Sequence, residues 1–278
     1  MTTIESHRTI HDKPAYRLFD KDGKEISYGR MFDVLTTVDI ILFGELHNDP
    51  VVHWLQFELM TDLFSLGKRT LIIGAEMFEA DDQLIVDEYL AGLISHEHLV
   101  KEAKIWDNYD SDYRPLVTFA QTHGIRFIAT NIPRRYASLV AREGLKALEY
   151  LSDEAKRWMA PLPIRLDLMT PTYRDILDLS MTHGIEPENF LSAQAVRDAT
   201  MAYFILKNRT PGSLFVHHNG EYHSRKYGGI YWYLKQAEPN LTMTTIISIE
   251  EKTIEFREEH LGLGDYLLMT PHTITKTS

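Results

Sequence analysis

The sequence predicts an α/β fold: a parallel-type central sheet with helices on both faces and a helical insertion or lid. Three observations lead to this prediction. Short apolar segments of strand type recur along the chain, helical patterns fill the intervals between them, and no linker or repeat divides the 278 residues. Strands that are apolar on both sides need cover on both faces, as in parallel sheets. We expect one α/β domain over residues 1–278.

The N-terminal segment 15–29 predicts a hairpin. A turn sequence at Asp20–Gly23 separates two short runs in which apolar and polar residues alternate. The aspartates resemble a calcium-binding loop, but the glycine stands at the fourth loop position, where the sixth is required. A plain turn therefore explains this segment.

Strand and helix patterns then alternate. Asp49 is placed to cap a helix that begins at Pro50, and an apolar stripe at helical spacing follows. Residues of about 144–209 carry helical patterns broken by prolines, and we expect a helical insertion or lid there. The predicted strands are Asp39–Gly44, Thr70–Ala75, Arg126–Thr130, Ser213–His217 and Thr242–Ser248, the last of the series; further helices are predicted within 81–91, 95–122, from Pro133, within 189–207 and within 228–237.

Composition excludes several classes of protein. Acidic residues outnumber basic ones by 40 to 29, which disfavours nucleic acid as a partner. The absence of cysteine excludes disulfides, thiolate nucleophiles and cysteine-ligated metals. No apolar run reaches the roughly 18 residues of a transmembrane segment, and residues 1–30 lack the apolar core of a signal peptide. The sequence as it stands predicts a soluble chain.

Polar residues follow four of the predicted strands. Because ligands bind beyond the carboxyl ends of parallel strands, we expect these residues to share one cleft. They are Glu45 and His47 after the first strand, Glu76 after the second, Asn131 and Arg134 after the third, and His218, Tyr222 and His223 after the fourth. Arg197 and Asp198, on the helix predicted within 189–207, are placed to reach toward the same cleft.

Two of these loops share the pattern Gly-Glu-x-His, at 44–47 and 220–223. Such residues suit a divalent metal held by His47, Glu76 and His223, with a position open for water. They equally suit metal-free chemistry, in which a histidine base is oriented by a glutamate. Each residue alone also fits a structural role, as a helix cap or a solvated histidine.

Two further groups of residues leave alternatives open. His217 and His218 are adjacent on a strand and point to opposite faces, so only one of them joins the site, and we favour His218. A polar and aromatic group precedes Pro115 and fits either a pocket wall or helix capping. Its members are Trp106, Asp107, Tyr109, Asp112 and Tyr113.

Several motifs together resemble the ChaN-like haem-binding uptake proteins, a family of bacterial iron-regulated lipoproteins. The resemblance spans roughly residues 15–270. The motifs are Phe43-Gly-Glu-Leu-His-Asn48, Gly74-Ala-Glu-Met-Phe78, Tyr113-Arg-Pro-Leu-Val117, Ala129-Thr-Asn-Ile-Pro-Arg134, Gln194 to Ala202 and His218-Asn-Gly-Glu-Tyr-His223. The family is distantly similar to the erythromycin esterases and to the TraB and Tiki proteins.

This resemblance implies haem as the cofactor, with iron held by a tyrosine or histidine, and a homodimer that forms around haem. Tyr222, Tyr173 and Tyr203 are candidates for the iron ligand by location. The lipoprotein cysteine of the family is missing, so we expect a full-length form that is exported and membrane-anchored, with Met1 a cloning residue.

The distant relatives imply an alternative function, a hydrolase. His47 would be the general base or a metal ligand oriented by Glu45, Glu76 a second acid or ligand, and His223 the partner from the opposite loop. Asn131 or Arg134 would stabilise a developing anion. A metal in this site would be zinc, manganese or cobalt.

Overall fold

The computed structural model describes residues 13–167, 170–180 and 187–278, with side chains except at 176–180. Met1 and the parts of the predicted insertion at 168–169 and 181–186 lie outside the described residues. Within the described residues, no helix is both long and apolar enough to cross a membrane.

An eight-stranded sheet forms the centre of the described part of the chain, in the order β2-β1-β8-β7-β3-β6-β4-β5. All pairings from β8 to β5 are parallel, whereas β1 runs antiparallel to both of its neighbours. The strands are β1 (Arg17–Asp20), β2 (Glu25–Ile26), β3 (Ile40–Glu45), β4 (Leu71–Glu79), β5 (Arg126–Asn131), β6 (Leu214–Gly220), β7 (Met243–Glu251) and β8 (Tyr266–Pro271). The predicted α/β class and all five predicted strands are confirmed.

The sheet differs from the prediction at its edge. Strand β8 was not predicted, and the expectation that the fifth strand closes the series is wrong. The apolar run of β8 is short and is followed by polar residues, so its sequence pattern alone resembles an irregular C-terminal tail. Strands β1 and β2 form the predicted hairpin, which joins the sheet through β8 and ends before Tyr28, the first residue of α1.

The helices lie mostly between the strands, as their patterns predict. Helix α2 begins where expected: the Asp49 carboxylate accepts hydrogen bonds from the Val51 and Val52 amides, and Pro50 fills the first turn. Gly67 ends α2 in the left-handed conformation. The helices are α1 (Tyr28–Leu35), α2 (Pro50–Leu66), α3 (Gln83–Leu90), α4 (His96–Glu102), α5 (Arg114–His123), α6 (Arg134–Glu143), α7 (Asp153–Lys156), α8 (Pro171–Ser180), α9 (Pro187–Asn208) and α10 (Gly229–Ala237).

Alternate residues of each central strand face different helical layers. Ile41 and Phe43 pack with α2 and α5, whereas Ile40 and Leu42 pack with α9 and α10. Helix α9 therefore covers the sheet directly, so this part of the predicted lid is a core layer. Its many alanines allow the close approach, while the polar residues Gln194 and Asp198 interrupt the apolar pattern that marks a core helix.

The order of the central strands positions the site. Strand β6 lies between β3 and β4, so the carboxyl ends of these three strands are neighbours. Glu45 pairs in register with Gly220, which brings the two Gly-Glu-x-His loops side by side. Strand β4 extends to Glu79, so Glu76 lies within the strand and does not follow it.

Candidate functional site

A cavity of about 1330 Å³ opens at the carboxyl edge of the sheet. It exceeds the roughly 300–1,000 Å³ that is usual for small-molecule sites. Its walls combine apolar and aromatic side chains with a few charged ones. They are formed by Glu45, Leu46, His47, Asn48, Glu79, Lys104, Ile105, Trp106, Asp107, Asn108, Arg134, Arg135, Phe190, Gln194, Gly220, Glu221, Tyr222, His223, Thr277 and Ser278.

Glu45 and His47 form a hydrogen-bonded pair at the base of this cavity. The Glu45 carboxylate lies 3.0 Å from Nδ1 of His47 and accepts hydrogen bonds from the Tyr113 hydroxyl and the Gln56 amide, each at 2.7 Å. Burial alone raises the pKa of Glu45, but the His53 and His47 imidazoles and these hydrogen bonds outweigh burial and lower it to about 2. Glu45 is therefore an anion, and it accepts a hydrogen bond from Nδ1–H of His47.

The other ring nitrogen of His47 lies beside Gly220. A methyl group added at Gly220 would stand 2.7 Å from Nε2 of His47, so only glycine permits this approach. Burial lowers the pKa of His47, but the hydrogen bond to Glu45 and the charges of Glu76 and Glu45 outweigh it and raise this pKa. Trp106 packs edge-on against the imidazole, with the ring centres 4.9 Å apart. His47 thus combines a fixed orientation with access to the cavity.

Hydrogen bonds to its backbone carbonyl fix the position of His47. Its carbonyl accepts hydrogen bonds from His53 Nε2 at 3.1 Å and from the Asn108 amide at 2.6 Å, and the Tyr113 hydroxyl, which donates to Glu45, lies 3.3 Å away. His53 also contacts Gln56, which in turn holds Glu45. His53, Gln56 and Asn108 are not among the residues predicted from the sequence. A signal was present for the first two, because they are polar residues three apart on the buried side of α2.

Glu76, His223 and Asp198 form a second group, a buried chain. Nε2 of His223 lies 3.1 Å from Glu76, and Nδ1 lies 2.5 Å from Asp198. Burial lowers the pKa of His223, but the two carboxylates outweigh it and raise this pKa to about 10. The charge and hydrogen bond of His223 hold the pKa of Glu76 well below its usual range despite burial. His223 is therefore an imidazolium at neutral pH.

The carboxylates of this chain are tied to the fold on their outer sides. The Gly220 amide donates to Glu76 at 2.7 Å, and the Tyr173 hydroxyl donates to Asp198 at 2.8 Å. Asp198, placed by sequence among ligand-binding residues, does not line the cavity itself and acts on His223 instead. The loop 220–223 is thereby fixed between β4 and α9.

The remaining predicted residues divide into two sets. Arg134, at the start of α6, and Tyr222 line the cavity, and Tyr222 is 37% exposed. The Arg225 guanidinium lies over the Tyr222 ring, 4.7 Å from its centre. In contrast, Asn131 is buried and the partly exposed Arg197 projects elsewhere from α9, and neither lines the cavity.

His217 and His218 point to opposite faces, as expected, but neither lines the cavity. The structure places His218 differently from the prediction: it is fully buried beside Phe43, and its nitrogens have no hydrogen-bond partner among the described residues. His217 bonds to Thr130 and Asn219. Burial lowers the pKa of His217 to about 4 and that of His218 to about 3, so both are neutral. Strand alternation predicts that His217 and His218 face opposite sides of the sheet, but it does not predict whether either side chain faces the cavity.

The donor set fits a divalent metal poorly. Both nitrogens of His223 face carboxylates as proton donors, which leaves no lone pair for a metal. Among the described residues, ligand atoms converge only in Glu79, Asp81 and Asp82 and in Glu251, Glu259 and His260. Lys104 contacts all three carboxylates of the first cluster, and Arg257 contacts both carboxylates of the second.

Comparison with known families decides the family. The sequence profile described as "Haem-binding uptake, Tiki superfamily, ChaN" matches residues 31–234, which is most of the chain. The chain belongs to this family. A comparison with curated protein sequences finds no significant match.

Solved structures share the fold of this ChaN-family chain. "Cofacial heme binding to ChaN of Campylobacter jejuni" matches with a TM-score of 0.70 and 18% identity, over 92% of this chain and 96% of that one. A Bacillus cereus protein matches with a TM-score of 0.51 and 11% identity, over 87% and 90% of the two chains. An erythromycin esterase mutant reaches a TM-score of 0.48 at 11% identity, over 84% and 77%, a similarity too low to support an argument.

Proposed function

We propose that this protein binds haem in the cavity at the carboxyl edge of the sheet, as part of bacterial haem or iron uptake. The description of the family names haem-binding uptake, and the description of the Campylobacter jejuni structure names cofacial haem binding. The observation that carries the proposal is an exposed phenol, Tyr222, inside a cavity of about 1330 Å³ with aromatic walls. Haem combines a broad apolar ring with an iron that accepts a tyrosine or histidine ligand.

Tyr222 is the best placed of the three tyrosines that the sequence suggested. Tyr173 is buried, and its hydroxyl is committed to Asp198. Tyr203 packs in the apolar layer of α9 and does not line the cavity. Tyr222 alone of these three lines the cavity, and His47, whose side chain is 43% exposed, lines it from the neighbouring loop. These two side chains are the candidate iron ligands of the site.

The rest of the cavity suits an amphiphilic porphyrin. Ile105, Trp106 and Phe190 supply an apolar wall. Arg134 makes no ion pair with a described residue, whereas Lys104 and Arg135 are engaged by the acidic residues of the β4–α3 turn. Arg134 is therefore the cation best placed for a haem propionate, since its guanidinium matches a carboxylate in two hydrogen bonds.

Two wider expectations accompany this proposal. A homodimer that forms around haem and a lipoprotein anchor are both implied by the family resemblance. The dimer is testable on the described chain: size-exclusion chromatography with light scattering should give twice the mass of the 32.2 kDa chain after haemin addition. An unchanged mass with saturated haem would contradict dimer formation.

A haemin titration of the apo-protein tests the proposal. We expect a saturable shift of the Soret band in the wild type and a large loss of affinity, with an altered spectrum, in Tyr222→Phe. Tyr150→Phe is the matched control, because Tyr150 is 91% exposed and lies outside the cavity. Equal binding by both variants would remove Tyr222 as a ligand, and no Soret shift in the wild type would overturn haem binding.

A second candidate function rests on the Glu45–His47 pair. A partly exposed histidine that lines a cavity and is oriented by a carboxylate has the arrangement of a general base. Because His223 lacks a free lone pair, the geometry favours a metal-free hydrolase over a metal-dependent one. Hydrolysis of p-nitrophenyl esters that disappears in His47→Gln and is unaffected by chelator would support this function, and identical rates in the wild type and variant would exclude it.

A further inference from the structure

The C-terminal segment 272–278 lies against the loop that carries His47. Strand β8 ends at Pro271, and the following residues continue along the carboxyl edge of the sheet without forming a helix or strand. Thr277 and Ser278 line the cavity beside Asn48. The family profile matches residues 31–234, so this segment lies beyond the pattern that it describes. We name residues 272–278 the C-terminal strap.

Two side chains attach the strap to buried acidic residues. Nζ of Lys276 donates to the Asp49 carboxylate at 2.9 Å and also contacts Glu250. Oγ1 of Thr277 donates to the Asp112 carboxylate at 2.5 Å. Asp49 is 0% exposed and Asp112 is 3% exposed, so both contacts reach into the body of the protein. Hydrogen bonds to charged, buried groups are among the stronger ones in proteins.

Both acidic residues connect onward to the His47 loop. Asp49 caps α2 two residues after His47. Asp112 accepts a hydrogen bond from Asn108 at 2.7 Å, and the same Asn108 amide donates to the His47 carbonyl at 2.6 Å. The Thr277 amide also donates to the Asn48 carbonyl at 3.0 Å. The strap thus supports the His47 loop directly, through the Asn48 carbonyl, and indirectly, through Asp112 and Asn108.

We propose that the C-terminal strap forms a wall of the cavity that retains the ligand, and that Lys276 and Thr277 are positioning residues that fasten this wall to the His47 loop. The strap lines the cavity and leaves its volume open, so it acts as a wall and does not plug the site. Loosening the strap should speed ligand release and lower affinity. The ligand part of this inference rests on the proposed haem function.

Thr277→Val tests the inference with little risk to folding, because valine keeps the shape and removes the donor. Thr275→Val is the matched control, since Thr275 is exposed and makes no side-chain hydrogen bond to a described residue. Haemin release, followed by transfer to excess apomyoglobin, should be about tenfold faster in Thr277→Val, the effect expected from one lost hydrogen bond to a charged group. The control should release haemin at the wild-type rate. Lys276→Met should act in the same direction.

Hydrogen exchange on the apo-proteins separates the strap from the haem function. We expect faster amide exchange at 45–49 and 276–278 in Thr277→Val than in Thr275→Val. Equal exchange in the two variants, or equal haemin release with normal binding, would overturn the strap while leaving haem binding intact. If the wild type binds no haemin, the proposed function fails, and the exchange difference alone then decides whether the strap supports the His47 loop.

Discussion

Replacing Asp198 by asparagine tests the buried chain Glu76–His223–Asp198 most sharply. The wild-type carboxylates raise the pKa of His223 from 6.5 to about 10, which corresponds to about 5 kcal/mol of preference for the charged form at most. Removing one partner of such a buried pair usually costs about 3–5 kcal/mol. We therefore expect Asp198→Asn to lower the free energy of unfolding by roughly 3 kcal/mol at pH 7. Asp107→Asn, at an exposed position of the cavity rim, should change it little.

The stabilisation that the charged His223 provides should depend on pH, and the direction of this dependence can be predicted. A histidine whose pKa is raised on folding binds more protons in the folded state than in the unfolded state between pH 6.5 and about 10. Its stabilisation is complete below pH 6.5 and is lost as the pH rises through about 10. Urea unfolding of the wild type and Asp198→Asn at pH 6, 8 and 10 should show a difference that shrinks as pH rises. A difference that is constant or grows with pH would refute the charged state of His223.

Three other outcomes follow from the site geometry. Glu45→Gln removes the hydrogen bond and charge that raise the pKa of His47, so a nuclear magnetic resonance titration should find that pKa lower than in the wild type; an equal or higher value would contradict the pairing. Gly220→Ala places a methyl group 2.7 Å from Nε2 of His47, so ligand binding should fall at least tenfold while circular dichroism stays unchanged, and undiminished binding would contradict the close approach. Chelator treatment should leave the unfolding temperature unchanged because His223 offers no lone pair, and a large fall would indicate a structural metal.

The strands that position the site could be predicted from the sequence. The hydrogen-bond partners of the ring nitrogens of His47 and His223 could not. The rule for parallel strands brought Glu45, His47, Glu76 and His223 to one sheet edge, and the structure confirms that proximity. It did not separate them into two groups, the Glu45–His47 pair and the chain that contains Glu76 and His223. That separation depends on Asp198, which reaches His223 only because α9 packs directly on the sheet.

The residues that sequence reasoning missed act at a distance along the chain. Asn108 and Thr277 meet at Asp112, although they are far apart in sequence, and no local pattern encodes that contact. The C-terminal strap was overlooked with β8, because a short apolar run before a proline resembles a tail. His218 shows the complementary limit: strand alternation predicted that it opposes His217, but not that it is fully buried beside Phe43.

A crystal structure of the protein with bound haemin would locate the binding site directly. We expect a porphyrin in the cavity between Trp106 and Tyr222, with its iron bound by Tyr222 or His47 and a propionate near Arg134. Haemin bound saturably at another surface, with this cavity unoccupied, would contradict the assignment of the site.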